Sequence, residues 1–377
     1  MQGQTIGIIG GGQLGQMLTF SAKAGGMKVV ILDPDPTCPA GQAADRQIVA
    51  PYDSFAAIDE LAETADVLTY EFENVDLEAL EKVAAKVSIP QGTELLRITK
   101  DRVREKAFLA QHGLKVVDNI AISAPEEIDA AVAKLGYPSI LKTCEGGYDG
   151  KGQMNLKSVA DLPEARQMAS ETPCILESFL PFKMECSVMV GRNPDGATTV
   201  FPVSENIHRN HILHESIVPA RLPADVCQSA QNMAVKIAEA LDLCGILGVE
   251  MFVAEDNSLY VNELAPRPHN SGHYSIEACN FSQFDVHNRA ICNWPLPKIE
   301  LLSSVVMVNV LGQHVAGCRE LIGQKPEWSF HDYGKAEVRT DRKMGHVTIL
   351  TDDLDASLQK IKATGVWDRK RITEKNS

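Results

Sequence analysis

Short apolar runs alternate with stretches of helical spacing in the N-terminal part of the chain. Three of these runs predict strands, at Thr5–Ile9, Lys28–Leu32 and Asp66–Phe72. Apolar residues recur with helical spacing over Leu14–Ala24 and Asp76–Lys86. Strands that are apolar on both faces and separated by helices are typical of a parallel sheet with helices on both sides. The pattern predicts a doubly wound α/β domain over residues 1–98.

A different pattern covers residues 99–295, where strands lie close enough in sequence to pair antiparallel. The predicted strands are Val116–Ile122, Ser139–Lys142, Cys174–Glu177, Glu185–Val190 and Thr198–Ser204. The predicted helices are Asp101–His112, Ser158–Ser170 and Ala224–Leu241. Two apolar strands with turn-forming residues between them predict a hairpin over Ile246–Leu264. This part is therefore predicted to be an α+β domain.

The last part of the chain, residues 296–377, is predicted to be a small domain rich in β-strands. Its strands are predicted at Ser304–Leu311, Lys335–Thr340 and His346–Leu350. A closing helix is predicted at Leu354–Ala363. We therefore expect a compact β-rich appendage after the central domain.

Composition and charge exclude several classes of protein. The 377 residues are 44% apolar and carry a formal net charge of −14. An acidic chain binds nucleic acid and anionic membranes poorly, and no apolar run is as long as a membrane span. The N-terminus lacks the basic segment that begins a signal peptide. The nine cysteines include no Cys-x-x-Cys pair, which favours free thiols and a cytoplasmic location.

A glycine-rich turn, Gly10–Gly15, follows the first predicted strand and begins the first predicted helix. With Asp33 at the end of the second strand, it satisfies the pattern of a dinucleotide-binding turn. Such glycines also admit any ligand whose phosphate lies at a helix N-terminus. The pattern favours a phosphate ligand. An NAD-dependent dehydrogenase and simple close packing of strand on helix remain as alternatives.

The predicted hairpin brings two carboxylates together. If Asp256–Asn257 is a two-residue turn, Glu250 lies opposite Glu263 with Cβ atoms about 5 Å apart, among apolar neighbours that include Phe252 and Val261. Opposed carboxylates in a partly buried sheet are costly unless a cation lies between them, and their oxygens suit Mg²⁺. The alternatives are a register shifted by one residue, or a distant Lys or Arg as the partner of one carboxylate.

A strand that carries one lysine, Lys142, is followed by a glycine-rich segment, Gly146–Gly152. This is not a Walker loop, because Lys151 is followed by Gly152 rather than by Ser or Thr. The backbone N–H groups of such a flap can close over a triphosphate, while a lysine neutralises phosphate charge. The alternative is a mobile surface loop beside an exposed lysine.

The next predicted strand resembles the hinge of a nucleotide site. It runs from Cys174 through Glu177 to Leu180, and Glu185 follows. A carboxylate and backbone groups at such a hinge can read an adenine amine, and a later carboxylate can accept hydrogen bonds from ribose. Without the neighbouring motifs, these would be ordinary surface acids.

In this order, the lysine strand, the flap, the hinge acid and the paired acids of a late hairpin resemble the ATP-grasp ligases. Within that superfamily the chain most resembles the 5-(carboxyamino)imidazole ribonucleotide synthetases, over essentially its whole length. The matching segments are Gly10–Gly15, Thr69–Val75, Gly146–Gln153, Val261–His273 and Lys343–His346.

The resemblance implies a three-domain enzyme, often a homodimer, that carboxylates 5-aminoimidazole ribonucleotide with ATP and bicarbonate by way of carboxyphosphate. Its domains would be a Rossmann-like N-terminal domain (1–98), an ATP-grasp domain (99–295) and a C-terminal domain (296–377). It also implies one or two Mg²⁺ ions, held by Glu250 and Glu263.

The resemblance further implies which residues contact each ligand. ATP would be contacted by Arg102, Lys142, Gly146, Gly147, Tyr148, Asp149, Gly150, Lys151, Gly152, Glu177, Ser178, Phe179, Leu180, Glu185, His208, Asn262 and Glu263. The other substrates would be contacted by Gln13, Glu73, Asn270, Ser271, Arg342 and Lys343. The reacting atoms would be contacted by Arg267, His269, Tyr148, Asp149 and Lys343.

Two of these roles carry the chemistry. Arg267 would hold carboxyphosphate by charge-assisted hydrogen bonds, and Asp149 or His269 would take the proton of the substrate amine. A compact basic turn around Arg342 and Lys343, with Arg339 and His346 nearby, suits a monophosphate; a solvated hairpin tip is the alternative.

One departure and three rival functions bear on this interpretation. Many ATP-grasp enzymes have Asn two residues after the second metal carboxylate, where this chain has Ala265, which leaves the second Mg²⁺ open. Formate-dependent glycinamide ribonucleotide transformylase is similar, but Asn270–His273 and Lys343–His346 favour the carboxylase. An NAD-dependent dehydrogenase or a nucleotide sensor without turnover would give the paired acids and the flap no joint role.

Overall fold

The structure is a computed structural model of the chain, and it describes residues 3–147 and 150–368. Within those residues, no helix combines the length and the apolar character that crossing a bilayer requires.

The N-terminal part is a parallel sheet with helices on both faces. Its strands, in the spatial order β3-β2-β1-β4, are β1 (Thr5–Ile9), β2 (Lys28–Leu32), β3 (Arg46–Ile48) and β4 (Val67–Tyr70). Its helices are α1 (Gln13–Ala24), α2 (Phe55–Thr64), α3 (Leu77–Val83) and α4 (Glu94–Thr99). Ile8 packs in the core under α1, whereas Ile9 packs in the core under α2 and α3. The doubly wound parallel sheet is confirmed, since both faces of its strands are buried.

The first half of the central part contains a small antiparallel sheet. Its elements are α5 (Arg102–Gln111), β5 (Asn119–Ile122), α6 (Ile128–Leu135), β6 (Ser139–Thr143), β7 (Gln153–Leu156), α7 (Leu162–Glu171) and β8 (Cys174–Ser178). The strand order is β5-β8-β6-β7. The glycine-rich segment therefore joins two adjacent antiparallel strands, β6 and β7, as predicted for a hairpin flap.

A nine-stranded sheet forms the rest of the molecule. Its strands are β9 (Phe182–Arg192), β10 (Thr198–Val200), β11 (Ser204–Arg209), β12 (Ile212–Val218), β13 (Gly245–Ala254), β14 (Leu259–Ala265), β15 (Ser304–Leu311), β16 (Ser329–Asp332) and β17 (Lys343–Thr351). The helices around it are α8 (Ala224–Ala240), α9 (Ser275–Ala278), α10 (Gln283–Ile291), α11 (Val315–Ile322) and α12 (Leu354–Ala363). The strand order is β14-β13-β9-β11-β12-β15-β17-β16, and β10 pairs with β9.

Two sequence predictions about this sheet are wrong. The strand predicted at Thr198–Ser204 is two strands, β10 and the start of β11, because the register with β9 shifts between them. No strand forms over Lys335–Thr340; β16 precedes that segment instead. The C-terminal part is rich in β-strands, as predicted, and the pairing of β15 with β12 also makes it an extension of the central sheet.

Candidate active site

A cleft of about 810 Å³ lies where the three parts of the chain meet. The N-terminal part contributes Gln13 and Glu73, the flap contributes Gly146 and Lys151, and the C-terminal part contributes Lys343. The floor comes from the large sheet and the loop after it. Its charged and polar residues include Glu185, His208, Glu250, Asn262, Glu263, Arg267, His269 and Asn270.

Most of the residues predicted for the site line this cleft. Those that do so are Gln13, Glu73, Arg102, Lys142, Gly146, Gly147, Gly150, Lys151, Phe179, Glu185, His208, Glu250, Asn262, Glu263, Arg267, His269, Asn270 and Lys343. Six predicted residues do not line it: Gly152, Glu177, Ser178, Leu180, Ser271 and Arg342. Tyr148 and Asp149 lie outside the described residues.

The two carboxylates of the hairpin lie opposite each other, as predicted, since Glu250 pairs with Glu263. Burial and then the charge of Glu263 raise the pKa of Glu250 to about 7. Burial alone would raise the pKa of Glu263 as well, but the charges of Arg102 and Lys142 outweigh it and lower that pKa to about 2. Glu263 is therefore held as a carboxylate, and a further cation would favour ionisation of Glu250.

The register that aligns these carboxylates comes from a bulge rather than from the predicted turn. Near the turn, Phe252 pairs with Tyr260, one residue away from the predicted register. The pairing shifts after Glu250, so that Glu250 and Glu263 still meet. Val261, predicted to share their face, instead lies in the hydrophobic core under α8. A bulge inserts one residue into one strand, which turns the following side chains to the other face.

Lys142, on the strand before the flap, forms an ion pair with Glu177, on the predicted hinge strand. Lys142 Nζ lies 2.7 Å from Glu177 Oε2, and Lys106 Nζ lies 3.7 Å from Glu177 Oε1. Glu177 is only 2% exposed. The prediction that its carboxylate reads adenine is therefore wrong, because that carboxylate is engaged by two buried lysines.

The arginine predicted to hold an anion lies between the N-terminal part and the large sheet. Arg267 Nη2 is 2.8 Å from Glu73 Oε1, and Arg267 Nη1 donates to Pro268 O at 3.1 Å. Among the described residues, the buried Nε of Arg267 and both amide atoms of Asn270 have no hydrogen-bond partner. Both residues line the cleft, and buried polar groups are usually paired, so these unpaired atoms mark hydrogen-bonding capacity for a polar ligand.

The imidazole beside the paired carboxylates is neutral. His269 Nε2 lies 3.2 Å from Glu250 Oε1. Burial, followed by the charge of Arg267, lowers the pKa of His269 to about 3. Further along the floor, His208 Nδ1 lies 2.7 Å from Glu185 Oε2. That pair places one donor and one acceptor where the resemblance expects ribose.

The glycine-rich turn at the start of α1 binds carboxylates of the chain itself. Glu71 accepts hydrogen bonds from the N–H groups of Gly12 and Gly15, each at 2.5 Å. Asp33 accepts from the N–H of Gly11 at 2.7 Å. These internal anions occupy the N–H groups of Gly11, Gly12 and Gly15, and a phosphate at this helix N-terminus stays a prediction. Asp33, the acid that a dinucleotide site would direct at ribose, is engaged by Gly11 instead.

The predicted basic turn does not act as one cluster. Arg339 pairs with Glu337, and Arg342 Nη1 donates to the backbone oxygen of Glu337. His346 is fully buried, with its ring stacked on His331. Of the four residues predicted there, Lys343 is the one that lines the cleft.

Sequence reasoning missed two buried charges on α5. Lys106 donates to the backbone oxygen of Asn262 at 2.5 Å, and Glu105 accepts from the N–H of Leu264 at 3.0 Å. Both side chains are at most 2% exposed. The available signal is helical spacing, because Arg102, Lys106 and the apolar Leu109 fall on one face of a helix.

The donor set fits Mg²⁺ with ATP. No group of three or more His, Cys, Asp or Glu that could hold a metal occurs in residues 3–147 and 150–368. The paired carboxylates of Glu250 and Glu263 line the cleft. Mg²⁺ is usually bound by one or two carboxylates together with substrate phosphates and water. The adjacent Lys142 and Arg102 suit those phosphates.

Comparisons with known families agree with this architecture. The family model of the ribonucleotide synthetase preATP-grasp domain matches residues 3–100. That of the ATP-grasp domain matches residues 107–284. That of the phosphoribosylaminoimidazole carboxylase C-terminal domain matches residues 305–360.

Individual relatives are similar over nearly the whole chain. The N5-carboxyaminoimidazole ribonucleotide synthase of Bacillus subtilis is 47% identical, covering 97% of this chain and 96% of its own. The crystal structure of an N5-carboxyaminoimidazole ribonucleotide synthetase in complex with ADP is 50% identical, with a TM-score of 0.95 and 97% of each chain covered. The Aspergillus clavatus enzyme, solved with ADP and 5-aminoimidazole ribonucleotide, is 34% identical, with a TM-score of 0.92, covering 98% of this chain and 99% of its own. This chain therefore belongs to the N5-carboxyaminoimidazole ribonucleotide synthase family.

Proposed function

We propose that this protein is an ATP-dependent carbon–nitrogen ligase of purine biosynthesis. It would carboxylate the exocyclic amine of 5-aminoimidazole ribonucleotide with bicarbonate, and release ADP and phosphate. One observation carries the proposal: a single cleft joins the paired carboxylates Glu250 and Glu263 and the lysine Lys142 to the anion-binding Arg267. Phosphorylation of bicarbonate by ATP needs the carboxylates and the lysine, and carboxyl transfer needs the arginine, so one cleft must contain both sets of groups.

The first step would be phosphorylation of bicarbonate. A bicarbonate oxygen attacks the γ-phosphorus of ATP, and the bond to the β-phosphate oxygen breaks, which gives carboxyphosphate and ADP. Glu250 and Glu263 would hold Mg²⁺, which when bound neutralises phosphate charge. Lys142 would bind the α- or β-phosphate, and the ion pair between its Nζ and Glu177 Oε2 at 2.7 Å fixes its position. The flap residues from Gly146 onward would cover the nucleotide and exclude water.

The second step would be carboxyl transfer. The amine nitrogen attacks the carbonyl carbon of carboxyphosphate, or of CO₂ released from it, and phosphate leaves while the amine loses a proton. Arg267, already oriented by Glu73 at 2.8 Å, would hold the anionic intermediate with charge-assisted hydrogen bonds. Asn270 and Lys343 would contact the ribonucleotide. Asp149 and His269 are the two candidates to accept the amine proton.

Four finer features belong to the same proposal. The domains would be residues 1–98, 99–295 and 296–377, which the three matching family models support, because each lies mostly or wholly within one of these ranges. The enzyme would use one or two Mg²⁺ ions, form a homodimer and work in the cytoplasm. Because residue 265 is Ala rather than Asn, a single Mg²⁺ is the simpler assignment.

Transfer of labelled oxygen tests the carboxyphosphate step. With bicarbonate carrying ¹⁸O, the attacking oxygen stays on phosphorus, so each phosphate released should contain one labelled oxygen. Unlabelled phosphate at full turnover would contradict the mechanism. ADP release that depends on formate and glycinamide ribonucleotide, instead of bicarbonate and aminoimidazole ribonucleotide, would contradict the substrate assignment.

A further inference from the structure

Five buried polar side chains form a hydrogen-bonded group behind His269, which we call the serine network. Its members are Ser187, Ser204, Asn206, Ser216 and Ser271. Each is at most 5% exposed, and none lines the cleft. The predicted contact of Ser271 with substrate is therefore wrong, since its side chain points at the back of the imidazole.

The contacts of His269 determine which ring nitrogen carries the proton. The backbone N–H of Ser271 donates to His269 Nδ1 at 3.3 Å. A nitrogen that accepts an N–H bears no hydrogen, so the Ser271 hydroxyl, 2.8 Å away, also donates to it. The ring proton then lies on Nε2, which is 3.2 Å from Glu250 Oε1.

The hydrogen bonds from Asn206 to Ser271 also run from donor to acceptor in the direction of His269. Because the Ser271 hydroxyl donates to His269, its oxygen accepts from Ser187, whose Oγ is 2.6 Å away. Ser187 in turn accepts from Asn206 Nδ2 at 2.9 Å and from the Ser204 hydroxyl at 2.7 Å. The far end is fixed by Ser216, which donates to Asn206 Oδ1 at 3.1 Å. The hydrogen bonds that lead from Asn206 through Ser187 to Ser271 therefore point toward the imidazole, while the Ser204 hydroxyl also lies 3.3 Å from Ser187 O and from Asn206 Oδ1.

The main chain of His269 is held just as firmly. Its N–H donates to Gln283 Oε1 at 2.9 Å, and its carbonyl oxygen accepts from Gln283 Nε2 at 2.8 Å. Gln283 itself is fully buried. A flip of the ring would therefore break the hydrogen bonds at Nδ1, and withdrawal of the residue would break those of its main chain.

We propose that the serine network is a positioning device, which fixes His269 as the Nε2–H tautomer and holds the ring beside Glu250. Ser187 and Ser271 are its positioning residues, because they touch no substrate and act through the imidazole. Groups that orient a metal ligand in this way commonly change metal affinity or activity by about 10–100-fold when removed. The kinetic part of the proposal rests on the proposed function, whereas the tautomer does not.

A consequence concerns the amine proton. With Nδ1 accepting two hydrogen bonds and Nε2 carrying the proton, His269 has no lone pair directed at the cleft. The assignment of His269 as the general base is thereby excluded in this arrangement, and Asp149 remains as the acceptor proposed from the resemblance.

Nitrogen NMR of the full-length protein with ¹⁵N-labelled histidine tests the tautomer directly. The His269 signals are assigned by their loss in His269→Gln. In metal-free wild-type protein at neutral pH, we expect Nδ1 without a proton and Nε2 with one. The opposite tautomer, or an even mixture of the two, would overturn the proposal. This readout stands even if no carboxylase activity is found.

Substitution of the network tests its role. Ser187→Ala removes the donor to Ser271 but leaves the backbone N–H of Ser271 on Nδ1, so we expect the same His269 tautomer and about a tenfold rise in the Mg²⁺ concentration for half-maximal turnover. Mn²⁺ binding to the same protein, with ATP present, should weaken by a similar factor. Ser357→Ala is the matched control, because Ser357 is also a buried serine with one side-chain hydrogen bond, but lies on α12.

The outcomes are distinguishable. Unchanged Mg²⁺ dependence in Ser187→Ala would overturn the positioning role, and the opposite tautomer in the wild type would overturn the proposal as a whole. If that variant fails to fold, Ser271→Ala gives the same comparison, and the wild-type spectrum still decides the tautomer. Loss of ribonucleotide-dependent turnover in the wild type, with the expected tautomer intact, would count against the proposed function alone.

Discussion

At the scale of single residues, the charges of the cleft are set by buried partners. Glu250 and Glu263 share a face of one hairpin, yet their pKa values move apart because Arg102 contacts Glu263 at 3.1 Å. Arg267 is oriented by Glu73 rather than by the metal carboxylates. Each of these roles gives a separate expectation for a substitution.

Replacement of Arg267 by Ala should abolish coupled turnover. The guanidinium is the cation that would hold carboxyphosphate, and loss of one such group typically lowers the rate by about 10²–10³-fold. Formation of the carboxylated ribonucleotide, measured beside ADP release, gives the result. Arg97→Ala, which removes an exposed arginine of α4, is the control. An Arg267→Ala enzyme with more than a tenth of the wild-type activity would contradict the assignment of Arg267 to carboxyphosphate.

Glu250→Gln should stabilise the metal-free protein at alkaline pH. The pKa of Glu250 is raised to about 7 from 4.5, so its ionised form is disfavoured by folding, and stability is lost as pH rises from about 5 through 7. In EDTA at pH 8, we expect the variant to melt a few degrees higher (about 2–4 °C per kcal/mol). The advantage should vanish at pH 5.

Ligand response separates this effect from a general change in stability. Mg-ATP should raise the melting temperature of the wild type and have little effect on Glu250→Gln, since one carboxylate of the pair is missing. The exposed Glu239→Gln is the control at both pH values. Equal stabilisation of Glu250→Gln by Mg-ATP would contradict a metal role for that carboxylate.

Some of this residue-scale detail could be predicted and some could not. The pairing of Glu250 with Glu263 was predicted from spacing, but with the wrong turn register; the bulge restores the pairing. The roles of Glu177 and Ser271 could not be predicted, because their side chains point into the interior. Side-chain direction at a hinge or a short turn depends on tertiary contacts that spacing alone does not fix.

At the scale of elements, α5 joins the two sheets of the central part. Lys106 donates to carbonyl oxygens of Val261 and Asn262 on β14, and its ammonium also approaches Glu177 on β8. Burial lowers the pKa of Lys106 in spite of that carboxylate. One buried side chain therefore links the strand of the metal carboxylates to the strand of the hinge.

Lys106→Met should destabilise the protein strongly. The change removes the hydrogen bonds to two carbonyl oxygens of β14 and one of the two ammonium groups at Glu177, and buried acceptors left unpaired cost about 1–3 kcal/mol. Urea denaturation measures the loss. The double variant Lys106→Met with Glu177→Gln should be no more stable than Lys106→Met, because it also takes the carboxylate partner from the buried Lys142.

A surface lysine provides the comparison. Lys86→Met removes an exposed ion pair with Asp59 and should leave the unfolding midpoint unchanged, since such pairs contribute little. A Lys106→Met protein as stable as the wild type would show that the buried lysine does not hold the two sheets together.

Most elements were predicted from periodicity, but their pairing was not. The closing helix α12 forms over the predicted residues, and α8 differs from its prediction at one end residue. The pattern missed β12, although all of its residues are buried, because a central strand without polar alternation gives no strand period. Lys335–Thr340 has β-like composition but no neighbouring strand.

At the scale of the whole molecule, one sheet runs from the nucleotide floor to the C-terminal part. Val218 pairs with Val305, and Glu215 pairs with Val308, so β12 is an interior strand only because β15 covers it. The C-terminal part thus completes the sheet as well as bringing Lys343 to the cleft. Sequence could place its strands but not assign them to this sheet, because antiparallel pairing between distant segments leaves no local signal.

Removal of residues 296–377 should therefore disrupt more than one domain. The Ile212–Val218 strand would become an exposed apolar edge, and such edges pair with other chains. We expect the fragment of residues 1–295 to elute as aggregates on size exclusion and to bind a hydrophobic dye, unlike the full chain under the same conditions. A monomeric fragment with a cooperative thermal transition would show that residues 1–295 fold without the C-terminal part.

The most direct test of the central claim is the release of ADP from Mg-ATP and bicarbonate, with and without 5-aminoimidazole ribonucleotide. We predict strong stimulation by the ribonucleotide, lost when bicarbonate is stripped from the buffer and absent when formate replaces it. ADP release that does not respond to the ribonucleotide, or that does not require bicarbonate, would contradict the account.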